Sequence, residues 1–454
     1  MALVSINPTN GETISEFPEH CHEDCDGILE GAHAAFNIWR AKSFEKRAAC
    51  FMRLAEELRT HSDLLAVTVT AEMGKPIRDA RAEIEKSATV CEFYARESEG
   101  LLQEDIVETD AQKSYVTYQP LGVILGIMPW NFPVWQVIRY AAPIMMAGNT
   151  TVLKHANTVT GCALTIESLF SKAGFPENAF RSLVVNIPDV ERVIQHPLVA
   201  GVTLTGSPRA GKAVASSAGA VLKKSVLELG GSDPFVVLED ADLDAAIDAG
   251  VGARLIVSGQ VCISPKRFIV PESIKTEFEE KLVERMSKAV MGDPTKDETT
   301  FGPLARHDLR DMVARQVQET IDEGATLLMG GECPEGPGAY YPATVLTDVK
   351  PGMPSYDDEV FGPVAAIISV PNEEEALRVA NDTPYGLGAV VFSRDVERAE
   401  KMAHGIEAGC CFVNSVVRSD PRLPFGGVKQ SGFGRELGAC GIKEFTNTKT
   451  IYIA

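Results

Sequence analysis

Residues 225–270 read SVLELGGSDPFVVLEDADLDAAIDAGVGARLIVSGQVCISPKRFIV, and this stretch decides the fold. Three of its segments, SVLEL (225–229), PFVVL (234–238) and RFIV (267–270), are short apolar runs bounded by turn residues, the pattern of fully buried strands. The same stretch contains Glu228, opening ELGG, and Cys262, in SGQVCISPKRF. A free thiol is mostly protonated at neutral pH and needs a neighbouring base or positive charge to become a nucleophile. No histidine stands near Cys262 in sequence, the nearest being His307, so a thiol nucleophile served by the Glu228 carboxylate is the economical reading.

Outward from this stretch the strand pattern repeats. VILGIM (123–128), TVLK (151–154), SLVV (182–185) and GVTLT (201–205) join SVLEL as buried strands, with helix-length segments between several of them, which predicts a parallel α/β sheet. PFVVL and RFIV, with AVVF (389–392) and CCFV (410–413), predict a second α/β unit. Residues 44–61 place Ala48, Phe51, Ala55 and Leu58 at helical spacing, an amphipathic helix expected to cover a sheet.

The chain has 454 residues, 45% hydrophobic and 23% charged, enough for two or three domains with their own cores. Its net charge of −20 disfavours nucleic acid and anionic membranes, so an anionic substrate needs a locally placed cation. No run of about 18 apolar residues appears and the N-terminus lacks a basic, then apolar, leader, which predicts a soluble cytoplasmic protein without a membrane partner. Ten scattered cysteines predict reduced thiols, mostly buried. His20, Cys21, His22 and Cys25 have no second ligand pair at zinc-finger spacing and read as a solvated helix start, so no metal is expected.

ELGG, GQVC, PWNFP (129–133), TGS (205–207), EVFGP (359–363) and PFGGVKQSGFGRE (424–436) occur together. With them the chain resembles the aldehyde dehydrogenase superfamily from Asn7-Pro8 to its C-terminus. The resemblance implies two Rossmann-like α/β domains, a cofactor domain over 1–113 and 131–229 and a catalytic domain over 230–423. It adds a small β bridging element over 114–130 and 436–454 that builds a homodimer or homotetramer.

The chain has no GxGxxG after a strand. In its place Gly206-Ser207-Pro208-Arg209-Ala210-Gly211 follows a strand and opens a helical run, where main-chain N–H groups can meet phosphate. Gly206, Gly211 and Lys212 nearly form a phosphate loop, but Ala213 lacks the hydroxyl that holds magnesium, which argues against an ATPase. The resemblance implies that Lys154 contacts the adenosine ribose. At 157, where many NAD-preferring relatives carry glutamate, this chain has Asn157. Without that carboxylate a 2′-phosphate meets no repulsion and can pair with Lys154, so NADP is the expected cofactor, with NAD possible. By the same resemblance Trp130 and Ser207 line the cofactor groove, Glu359 holds the nicotinamide ribose and Phe361 packs by the nicotinamide.

The implied chemistry is attack of the Cys262 thiolate on an aldehyde, oxyanion stabilisation by the Asn131 amide and the Cys262 N–H, and hydrolysis of the resulting thioester by water that Glu228 activates. If PWNFPVWQVIRYAAP is helical, Asn131, Trp135 and Arg139 share a face. Arg139 then starts about 12 Å from Asn131 and reaches back to a distal carboxylate. Ser419 adds a donor by resemblance to the succinate-semialdehyde branch of the family. The expected activity is oxidation of succinate semialdehyde, with glutarate semialdehyde or a broader aldehyde range as alternatives. A cofactor-free thioesterase or a silent structural member are the readings from other classes. Two departures stand out: VVNIPDVE (184–191) where many members have a glycine-rich NVVxG, and Ser258 where asparagine is frequent.

Overall fold

The computed structural model describes residues 2–454. A six-stranded sheet runs in the order Gly432–Phe433, Lys224–Glu228, Val199–Thr205, Val123–Met128, Thr150–His155, Phe180–Ser182. All its pairs are parallel except the first, in which Gly432 faces Glu228. A seven-stranded sheet runs Thr326–Met329, Thr344–Thr347, Val364–Val370, Pro265–Pro271, Asp233–Val237, Gly388–Phe392, Cys410–Val413, with only the first pair antiparallel. Asp233–Val237 and Pro265–Pro271 are buried along their whole length, as parallel strands covered on both faces must be. Thr446–Ile453, Lys113–Pro120 and Asp105–Ile106 form a separate antiparallel sheet, and Ala2–Ile6 pairs with Thr13–Pro18.

Three of the motifs, and Asn157, sit at carboxyl ends of strands in the six-stranded sheet, where open α/β sheets gather ligands. PWNFP follows Met128, Asn157 follows His155, Gly206-Ser207 follows Thr205, and the glycines of ELGG follow Glu228.

Several expectations are corrected. Val123–Met128 is a central strand of the six-stranded sheet, so only Lys113–Pro120 of the range 114–130 joins the small antiparallel sheet. The strand foreseen at 182–185 is Phe180–Ser182, and Leu183 to Val185 continue as buried irregular chain. The helix after PWNFP begins at Trp135, not at Asn131, which leaves Asn131 in the loop and outside the helical face shared by Trp135 and Arg139. Phe44–Thr60 is helical as its spacing requires, but it packs mainly on the helix Ile77–Leu101 rather than directly on a sheet. Residues 20–25 start the helix His22–Arg40. The Cys21 thiol accepts from Asp24 N, the Asp24 carboxylate accepts from Cys21 N, and Cys25 is buried in the core.

Candidate active site

Cys262 lies in the turn between the short 3₁₀ turn Ile256–Gly259 and the strand Pro265–Pro271, and its side chain is half-buried. Val257 (φ 51°, ψ 36°) and Ser258 (φ 57°, ψ 32°) both occupy the left-handed region, a strained conformation for side chains other than glycine. Asparagine tolerates that region well, which gives the Ser258 departure a physical setting. The Ser258 hydroxyl donates to Gly302 O (2.9 Å), and the Gln260 side chain bridges Val257 O (3.1 Å) and Ala305 N (2.9 Å), pinning the loop.

Burial pushes the Cys262 thiol up to about 11; the Lys266 ammonium and then Arg139 oppose this, while Glu359 and Asp233 add to it. Lys266 donates to the carbonyls of Val261 (3.0 Å), Cys262 (2.7 Å) and Ser264 (3.2 Å), and its ammonium lies 3.5 Å from Glu359. It thus fixes the backbone at Cys262 and supplies the nearby positive charge. Glu359 also accepts from Gly231 N (3.1 Å), and a Cβ on Gly230 would stand 2.3 Å from its Oε2. Glycine at 230 therefore leaves room for the Glu359 carboxylate.

Asn131 and Cys262 line one cavity of about 230 Å³ together with Trp130, Gly206, Ser207, Glu359 and Phe361. The Asn131 Oδ1 accepts from Gln136 Nε2 (3.1 Å) and Nδ2 donates to Gln260 O (2.9 Å), which fixes the amide with its N–H₂ turned to the Cys262 loop. Of the two Nδ2 hydrogens, one is engaged with Gln260 and the second is available to an oxyanion. Trp130 and Phe361 meet edge to face at 5.9 Å.

The loop holding Asn131 is clamped by a pair that no motif announced. Lys75 and Glu83 form a fully buried ion pair. Glu83 Oε1 accepts from Val134 N and Trp135 N, both at 2.8 Å, capping the helix that follows PWNFP. Lys75 Nζ lies 3.9 Å over the Phe132 ring. Glu83→Ala strands the Lys75 charge, and a loss of about 3–5 kcal/mol of stability is expected in denaturant unfolding. Unchanged stability would show that the pair contributes nothing.

Glu228 is buried and does not line that cavity. Its carboxyl is held well above the ordinary carboxylate range by burial first and then by Glu436, with Arg139 and Arg435 opposing. Gly426 (φ 154°) would bring a Cβ within 2.5 Å of Glu228 Oε1, so PFGG leaves the room in which this carboxyl sits. Arg139 pairs with Glu436, donates to Thr205 Oγ1 (3.1 Å) and lies 5.1 Å over the Phe425 ring. Its guanidinium meets in Glu436 a partner that helical spacing did not announce.

A groove of about 600 Å³ adjoins the cavity and is lined by Lys154, Asn157, Ile187, Glu191, Thr205 and Gly206, among others. Lys154 Nζ donates to Asn157 Oδ1 (2.8 Å), and burial pulls the lysine down to about 8 against the opposing charge of Glu19. Ser207 caps the helix Pro208–Ala220 by accepting from Ala210 N (3.3 Å). Ile187 and Pro188, from the divergent 184–191 segment, form part of the groove wall. A groove of this size with a lysine and an amide at one end suits a dinucleotide bearing an extra phosphate.

The aldehyde dehydrogenase family profile matches residues 2–451. The chain belongs to the aldehyde dehydrogenase family. It is 48% identical to the probable succinate-semialdehyde dehydrogenase [NADP(+)] of Synechocystis, over 100% of both chains. It is 46% identical to the succinate semialdehyde dehydrogenase [NAD(P)+] of Escherichia coli, covering 99% of this chain and 97% of that one. Among solved structures it superposes on succinic semialdehyde dehydrogenase from Streptococcus pyogenes in complex with NADP+, with TM-score 0.97 and 39% identity over 100% of both chains.

In this aldehyde dehydrogenase, Trp135 and Ser419 are linked by a residue that the sequence did not announce. Lys86, from the helix Ile77–Leu101, donates to Ser419 Oγ (2.8 Å) and stands 4.1 Å over the Trp135 ring. Lys266 and the Lys75–Glu83 pair were missed too. Lys266 follows Cys262 by four residues and lies within the stretch 225–270. Lys75, in the link between two helices, and Glu83 and Lys86, in the helix Ile77–Leu101, lie far from any motif and gave no signal.

Proposed function

We propose that this chain oxidises succinate semialdehyde to succinate with NADP as preferred cofactor. The observation that carries the reading is the shared cavity of Asn131 and Cys262, continuous in residues with a groove whose far end offers Lys154 and Asn157 without a carboxylate at 157. The relatives named above support the same substrate and cofactor.

Bound NADP supplies the hydride acceptor. The residues of the chain do the rest: Cys262 Sγ forms a bond to the aldehyde carbon, and the spare Asn131 hydrogen and the Cys262 N–H hold the oxygen that becomes negative. Once the carbon has been oxidised, the acyl group remains on Cys262 as a thioester. Glu228, turned from its resting place beside Gly426, takes a proton from the water that cleaves it, releasing the acid and the thiol. Trp130, Ser207, Gly206, Glu359 and Phe361 orient the cofactor.

We assign the cofactor domain to 1–113 and 123–229, the catalytic domain to 230–423, and oligomerisation to the small antiparallel sheet. That sheet exposes Ile106, Tyr452 and Ile453, which supports assembly as a homodimer or homotetramer. No helix among the described residues is long and apolar enough to cross a membrane, and we place the enzyme in the cytoplasm.

Initial rates of NADPH and NADH formation with succinate semialdehyde and with butanal test the reading, which fails if butanal is used as well as the acid. Asn157→Glu is expected to raise KM for NADP by on the order of 10- to 100-fold, because a carboxylate then opposes the 2′-phosphate, while NAD is spared. Equal changes for both cofactors would show that position 157 does not read the phosphate.

A further inference from the structure

Cys262 needs a positive neighbour in the resting enzyme, because Glu228 sits against Gly426 and does not line the cavity that Cys262 shares with Asn131. The charges that act on the thiol are those of Lys266, Arg139, Glu359 and Asp233. Arg139 is paired with Glu436. Asp233, on the strand Asp233–Val237, accepts from Gly388 N (3.1 Å) and is pushed up by burial to about 7. Arg254, which acts on Lys266 from the helix Leu243–Leu255, is bound to the carbonyls of Gly259 and Pro265.

Lys266 is placed differently. Its three donors all meet carbonyls of the turn that carries Cys262, at Val261, Cys262 and Ser264. Burial draws the lysine down and Glu359 opposes this, but a neutral amine, with two hydrogens, could not meet three carbonyls. Carbonyl oxygens satisfy the donors and leave the charge in place, and with the side chain 2% exposed water screens it little. The carboxylate paired with it, Glu359, lies 3.5 Å away and also accepts from Gly231 N. The bond to Val261 O also sets the direction of a donor. The Val261 carbonyl and the Cys262 N–H belong to one planar peptide and point in opposite directions. Holding Val261 O on the ammonium therefore turns the Cys262 N–H away from Lys266 and polarises it.

We propose that Lys266 is a positioning residue for the reaction: its charge stabilises the Cys262 thiolate, its bond to Val261 aims the Cys262 N–H at the oxyanion, and Glu359 tempers that charge. This deepens the reading of Cys262 as nucleophile and rests on it.

The test follows alkylation of Cys262 by iodoacetamide in the full-length enzyme from neutral to mildly alkaline pH, with the modified peptide identified by mass spectrometry. In Lys266→Gln, which keeps a polar side chain without the charge, the rate at a given pH is expected to fall about three- to tenfold, the greater nucleophilicity of the more basic thiolate offsetting part of the loss. Lys266→Arg, which keeps the charge, recovers most of the rate. A loss of less than about threefold in Lys266→Gln, or an equal loss in Lys266→Arg, overturns the inference. Glu359→Gln is expected to be alkylated about three- to tenfold faster than the wild type. A rate no faster removes Glu359 from the device and, if neither lysine variant folds in thermal unfolding, overturns the inference altogether. NADPH formation from succinate semialdehyde is followed on the same samples. Full activity in enzyme alkylated at Cys262 would overturn the reading of Cys262 as nucleophile, whatever the lysine variants do to the thiol.

Discussion

Cys262→Ala is expected to lower NADP-dependent aldehyde oxidation by a factor on the order of 10⁵ or more, since no other group at the site can carry the acyl chain. Cys262 is the cysteine that lines the cavity with Asn131, and its backbone is fixed by Lys266. Cys410 and Cys411 lie on a strand of the seven-stranded sheet and offer no substitute. NADP binding, followed by quenching of protein fluorescence, should survive the substitution, because the groove around Lys154 does not include Cys262. Oxidation persisting at more than about a thousandth of the wild-type rate would remove Cys262 from the chemistry. In the intact enzyme the first turnover should quicken as pH rises. Burial holds the thiol near 11 against the pull of Lys266 and Arg139, and below that value each unit of pH multiplies the thiolate fraction about tenfold.

Glu228→Gln should leave one burst of NADPH per active site and then reduce steady turnover by about 10²–10⁴-fold. The amide keeps the size of the carboxyl in its cramped place against Gly426 but cannot take a proton from water. The sign of the pH effect follows from the same burial. A carboxyl held well above its ordinary range is neutral, and inactive as a base, on the acid side. Steady turnover of the wild type should therefore climb with pH through that raised value and then level. The Glu228 arm of the climb should vanish in Glu228→Gln, while the pH dependence of the burst, set by Cys262, remains. A burst that disappears as well would assign Glu228 the thiol proton in addition to the water.

Much of the fold was legible because buried parallel strands write themselves as uninterrupted apolar runs. VILGIM, GVTLT, PFVVL and RFIV all lie in strands of the two sheets. SLVV shows the limit of that signal: an apolar run says that a segment is buried, not that its backbone is paired, and three of its four residues proved irregular. The helix after PWNFP was placed by its spacing but not by its start, because Val134 offers no side-chain cap and the cap comes instead from distant Glu83.

The sequence by itself marked Cys262, Asn131 and Glu228 as candidate reacting groups, each by one residue type in one motif. The close approaches at Gly230 and Gly426 belong to the fold, since Glu359 meets the one and Glu228 the other from far along the chain. Charge pairing was decided only in three dimensions. The strand Gly432–Phe433 returns beside Glu228, and the chain after it carries Glu436 onto Arg139, a partner that helical spacing could not show. The helix Ile77–Leu101 meanwhile delivers Glu83 to the oxyanion loop and Lys86 to Ser419, more than 300 residues away in the chain. A buried charge must find its partner wherever the fold brings one, and that partner leaves no trace in the spacing of its own segment.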